Sequence, residues 1–195
     1  MAENIVEQIQ TNLGLAPLHK IDPNTQEVRH KDEVPEAKTL DQAAIPAVLL
    51  GLYRYGGTEQ GADEILHGHR SADWLSIFYD EKKDETVQKV AAYAHTTDEE
   101  ATRKMETIAG EAVKIVKQQL AAGSGLTQVK DYVTQQRKNI LVYLPAELQL
   151  GYLMNDNTLD DRTNKMEGPM SNSMHFIERL FSGSTTEKNE LSPEE

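Results

Sequence analysis

Residues Thr97–Leu120 read TDEEATRKMETIAGEAVKIVKQQL. The apolar positions Ala101, Met105, Ile108, Ala112 and Ile115 advance by four and three residues, which keeps them on one stripe of a helix through roughly five turns. Thr97 is placed to cap the free amides of the first turn, and Glu100, three residues on, to reach back to the cap. Gly123 and Gly125 are the expected stop.

The same spacing recurs on both sides. Ile45, Val48, Leu49 and Leu52 fall at i, i+3, i+4 and i+7, as do Val87, Val90, Ala91 and Ala94, so each segment is expected to bury one face. A further helix is predicted from Thr127 to Leu144, with Val129, Val133, Ile140, Leu141 and Leu144 inward and Pro145 turning the chain. Met170, Met174, Ile177 and Phe181 repeat the step near the C-terminus, and shorter helices are predicted at 4–12, 59–67 and 72–80. No segment alternates apolar and polar residues with the β-branched enrichment of a strand. The expectation is an all-α, compact multi-helix bundle forming a single helical domain over 1–181. A polar excursion occupies 19–38 and a disordered acidic tail 182–195.

An internal echo allows two diverged copies of one helical unit, at 5–68 and 115–168. IVEQIQTNLGL (5–15) resembles IVKQQLAAGSGL (115–126), and IPAVL (45–49) resembles LPAEL (144–148). An offset of 100 then pairs Gly51 with Gly151, Thr58 with Thr158, Leu66 with Met166 and Gly68 with Gly168.

Composition narrows the function classes. A net charge of −12 repels phosphate backbones and acidic membrane surfaces. With no cysteine, there is no disulfide, thiolate metal site or cysteine nucleophile. The N-terminus lacks the basic and apolar regions of a secretion signal, and the apolar run Ala43–Tyr53 falls well short of the roughly 20 residues of a spanning helix. A cytoplasmic protein with no membrane role is the expectation.

Few residues point to chemistry. From Asp156, oxygen side chains stand at calcium-loop positions 1, 3, 5, 9 and 12 (Asp156, Thr158, Asp160, Asn164 and Glu167), but Asp161 takes the place of the turn glycine and Gly168–Pro169 block the exit helix. A helix start at Thr158, matching Thr58 before Glu59, is the reading adopted. His67 and His69, two apart and close to Asp63, are a candidate metal site for a metal-dependent enzyme; the alternative is an i, i+4 surface pair of His67 with Asp63 at a helix end closed by Gly68. His95 and His175 have no motif around them. The sequence holds no G-x-S-x-G elbow, Walker loop, dinucleotide glycine fingerprint or H-E-x-x-H, and the acidic pair Glu99 and Glu100 reads as a solvated first turn. No cofactor is called for.

Between Ala101 and Ile140, seven bases stand against three acids, leaving +4 there and −16 elsewhere. Lys130, Arg137 and Lys138, with QQRKN (Gln135–Asn139), are the candidates for a nucleic-acid groove. A basic middle facing acidic helices of the same fold or of a second subunit is the simpler alternative. Met170, Met174, Ile177 and Phe181 are the candidate docking ridge for a protein partner or a homo-oligomer, against core packing of the same stripe.

AIPAVLLGLYRYGGTEQGADEIL (Ala44–Leu66) is similar to the helix, turn and helix segment of the YidB-like family of bacterial proteins of unknown function, with its Ile or Leu, Pro, Ala opening. LVYLPAELQLGYL (Leu141–Leu153) resembles that family's second leucine-proline segment. The resemblance covers two short segments and implies a helical, bacterial, cytoplasmic protein; it carries over no catalytic residue. The function expected is a non-enzymatic structural or protein-interaction module.

Overall fold

In the computed structural model, residues 3–21, 36–68, 73–120 and 124–154 are described, the side chains of 36–39 excepted. They form helices α1 (Ile5–Leu13), α2 (Glu36–Gly56), α3 (Glu59–His67), α4 (Trp74–Tyr79), α5 (Lys83–Ala94), α6 (Asp98–Gln119), α7 (Leu126–Leu141) and the single turn α8 (Leu150–Leu153). Short 3-10 turns at Asp80–Lys82 and Ala146–Leu148 lie between them. The described residues contain no strand, and all belong to the compact unit Met1–Thr163. The fold is an all-α bundle.

Helix α2 is its axis. Every residue from Leu40 to Leu52 is buried, because α3, α4, α5, α6 and α7 surround it. The expected single buried face is therefore too narrow: a helix enclosed on all sides needs apolar residues all round, and the run AAIPAVLLGL supplies them. Two polar side chains enter this core with partners. Gln42 accepts from the His19 amide (2.8 Å) and donates to the carbonyls of His19 (3.0 Å) and Tyr143 (2.9 Å). Asp41 lies 2.8 Å from Lys104 Nζ of α6, with which it forms an ion pair. Pro46 sits inside α2, and the Tyr79 hydroxyl donates to the Ala47 carbonyl from α4. That approach depends on Gly51, where a Cβ would stand 2.7 Å from the Tyr79 ring.

The outer helices follow the expected spacing. α1 and α3 start and end within one residue of the predicted bounds, α6 starts at its predicted cap, and α6 buries Ala101, Met105, Ile108, Ala112 and Ile115 together. Its cap differs in one arm. Thr97 accepts from the Glu100 amide, but the Glu100 carboxylate takes the Thr96 hydroxyl (2.7 Å) instead of returning to the cap. α6 also ends at Gln119, ahead of both glycines; Gly125 is the N-cap of α7, its amide donating to Gln128 Oε1 (2.9 Å), and Gly123 lies outside the described residues. Residues 36–38, expected in the polar excursion, are the first turn of α2.

The two proline segments of the internal echo take different local structure. Ile45–Pro46 is helix interior, whereas Leu144–Pro145 leads into the 3-10 turn Ala146–Leu148. The rest of the second copy beyond Met154, the domain boundary at 181 and the tail 182–195 lie outside the described residues.

Candidate functional site on the outer face of α6

The outer face of α6 carries Glu106, Thr107, Gly110, Lys114, Lys117 and Gln118, spaced by three and four residues so that they share one side. Together with Trp74 and Val113 they line a groove of about 650 Å³. Gly110 is the notch in this face: a Cβ built there would meet nothing within 4 Å. Trp74, the first residue of α4, is only 4% exposed and closes one end. Lys117 Nζ stands 6.0 Å from the centre of the Trp74 ring and donates to the Gly68 carbonyl (2.8 Å), tying α6 to the end of α3. Lys114 pairs with Glu111 (3.0 Å), and Glu111 also accepts from Asn12 (2.7 Å).

Next to the groove, Asp73, Ser76, Lys83 and Glu106 make the one cluster that resembles a nucleophile site among the described residues. Lys83 Nζ lies 2.9 Å from Ser76 Oγ, 2.9 Å from Asp73 Oδ2 and 3.5 Å from Glu106 Oε1. The Ser76 hydroxyl donates to Asp73 Oδ2 at 2.6 Å, and the Ser76 amide donates to Asp73 Oδ1 at 3.0 Å. Burial alone would raise the Asp73 pKa, but the Ser76 hydroxyl and amide and the Lys83 ammonium outweigh it and hold the carboxyl at about 2. Burial would likewise lower Lys83, and its contacts with Asp73 and Glu106 more than reverse this, so its pKa is raised. A serine is activated when a neighbouring base takes its proton. Here the lysine is held protonated and the acceptor carboxylate is a weak base, an arrangement that does not favour removing the Ser76 proton. It is an N-cap of α4 fastened to α5 and α6 by ion pairs.

The residues singled out from the sequence are dispersed. His67 Nδ1 and Asp63 Oδ1 are 3.0 Å apart on α3, both well exposed, as an i, i+4 surface pair. His69 lies outside the described residues, and no group of three or more metal-ligating side chains occurs among those described. On α7, Lys138 is exposed and Lys130 and Arg137 are half-buried. Two of the amides assigned to base reading are committed inside the fold. Buried Gln136 accepts from the Ile5 amide (3.2 Å) and donates to the Glu3 carbonyl (3.0 Å), while Asn139 donates to Gln136 (2.9 Å). The stripe Met170, Met174, Ile177 and Phe181 and the loop Asp156–Glu167 lie outside the described residues. No helix among the described residues is long and apolar enough to cross a membrane.

The α6 groove escaped the sequence reading because its far wall, Trp74, is brought in from another helix. Its one sequence signal was Gly110, a glycine amid good helix formers.

Comparison with known proteins finds no matching family model, curated protein or solved structure.

Proposed function

We propose that this chain is a non-enzymatic helical interaction module whose docking face is the outer side of α6. The groove of about 650 Å³ along Glu106–Gln118 carries this reading. It offers what a docking helix needs: apolar lining from Val113 and Trp74, a notch at Gly110 and charged side chains of Glu106, Glu111 and Lys114. The Ser76 cluster beside it is held by hydrogen bonds and ion pairs to Asp73, Lys83 and Glu106, which favours binding over turnover.

The test is a photo-crosslinking amino acid placed at exposed Thr107, which lines the groove and leaves the Gly110 notch intact, with the same amino acid at exposed Gln135 on α7 as the control. Protein adducts are expected from position 107 in the cells that make the protein, and few from position 135. Equal yields at the two positions would refute the docking face. Ester hydrolysis that disappears in Ser76→Ala would refute the non-enzymatic role.

A further inference from the structure

We infer that the α6 face pairs with the same face of a second copy of this chain, the two helices crossing in antiparallel sense at Gly110. The inference rests on the docking role proposed above and adds the identity of the partner.

Two observations meet at Gly110. The first is steric. A glycine in a helix interior costs about 1 kcal/mol relative to alanine, and no described residue of the protomer requires this one, since a Cβ would meet none of their atoms within 4 Å. A helix crossing at this point does require it, because a missing side chain lets two backbones approach closely. The second is electrostatic. Glu106 and Lys114 stand four residues before and after Gly110, and both side chains are about half exposed (46% and 56%). A two-fold axis through Gly110 sets Glu106 of each copy opposite the partner's Lys114, twice per dimer. Each group already has a neighbour on its own chain, Lys83 at 3.5 Å and Glu111 at 3.0 Å, and a half-exposed side chain can share its charge with a second partner.

The same axis fixes the crossing. Arg103 and Lys117 stand seven residues on either side of Gly110, and axes lying side by side would bring these like charges together. Helices that pack at about 50° separate residues seven positions from the crossing by roughly 9 Å sideways, which relieves the repulsion. Contact is then confined to about a turn on either side of Gly110. An interface of that size, held by surface ion pairs, is weak and sensitive to salt.

Sedimentation equilibrium of the full chain over roughly a hundredfold range of concentration, at low salt and in about 0.5 M NaCl, reads the pairing directly. A low-salt dimer is expected, weakened about tenfold by Glu106→Lys or by Lys114→Glu alone, as reversal of two surface pairs implies. The double variant Glu106→Lys with Lys114→Glu is expected to recover it, since the swap restores opposite charges across the axis. A monomer throughout at low salt overturns self-pairing while leaving the docking face standing, because position-107 adducts would then join a different protein. A dimer indifferent to the charge swaps also overturns it. Because the chain has no cysteine, Gly110→Cys gives a second test that does not depend on the charge variants folding. Mild oxidation should link two copies through residue 110 far faster than through Gln135→Cys, and equal rates would count against the crossing.

Discussion

The glycines show how differently one residue type can be constrained. At Gly61 a Cβ would stand 1.9 Å from the Tyr55 carbonyl, a backbone atom at the corner between α2 and α3 that cannot rotate away. Gly61→Ala should therefore destabilise the protein by about 3 kcal/mol, through displacement of α3. At Gly110 no described atom lies within 4 Å of a Cβ, so Gly110→Ala should stabilise the dilute protomer by about 1 kcal/mol through helix propensity. Urea midpoints of the two variants, measured at the same low concentration, should move in opposite directions. A loss of stability in Gly110→Ala at dilution would mean that this position has a close neighbour. His95 shows the converse: a non-glycine residue with φ of 52° closes α5, with the Thr96 amide donating to the Ala91 carbonyl (3.0 Å). Gly14 closes α1 in the same left-handed way, where the conformation costs no Cβ strain.

At the scale of the element, capping and ion pairing do most of the positioning around α4. This helix has only six residues and is too short to persist alone, so Asp73 at its start and Lys83 on α5 hold it in place. Asp73 has a folded pKa of about 2, below its ordinary value of 3.8, so its contribution is present above pH 3.8 and is lost as pH falls toward 2. Asp73→Asn keeps an acceptor for the Ser76 amide but removes the charge. The gap in urea midpoint between wild type and Asp73→Asn should be open at pH 6 and close by pH 2. It should correspond to no more than about 1 kcal/mol, because the carboxylate is half exposed and screened by water. A gap independent of pH would show that the cap, and not the charge, carries the contribution. The elements were the most legible part of the sequence: the stripes Val87–Ala94 and Ala101–Ile115 and the cap at Thr58 could be read from spacing and local chemistry alone. The enclosed helix α2 was less legible, since a helix buried all round has no polar face to set its phase and Pro46 reads as a helix start. The groove was illegible for a related reason. Which face of α6 stays uncovered depends on where α4 packs, and no local pattern records that.

At the scale of the whole molecule, the N-terminal stretch is joined to the bundle by two buried glutamines that look interchangeable with surface glutamines in the sequence. Gln136 of α7 binds the Glu3 carbonyl and the Ile5 amide, and Gln42 of α2 binds both backbone groups of His19 as well as the Tyr143 carbonyl. Each side chain satisfies backbone groups from a distant part of the chain that would otherwise be buried without partners. The apolar anchor between these two points is small, with Ile5, Val6 and Ile9 the buried side chains of α1. Such a segment should detach before the bundle unfolds, because it combines a short helix with few buried contacts. Gln136→Ala and Gln42→Ala should each cost about 2 kcal/mol, the net value of two or three hydrogen bonds together with the desolvation of the groups left behind. They should differ in where the loss appears. Amide hydrogen exchange should show protection falling over 5–13 in Gln136→Ala, with α2 and α6 unchanged. In Gln42→Ala the loss should reach α2 itself, whose enclosed surface the side chain helps to seal. Uniform loss of protection across all helices in both variants would mean that α1 folds and unfolds as one unit with the bundle.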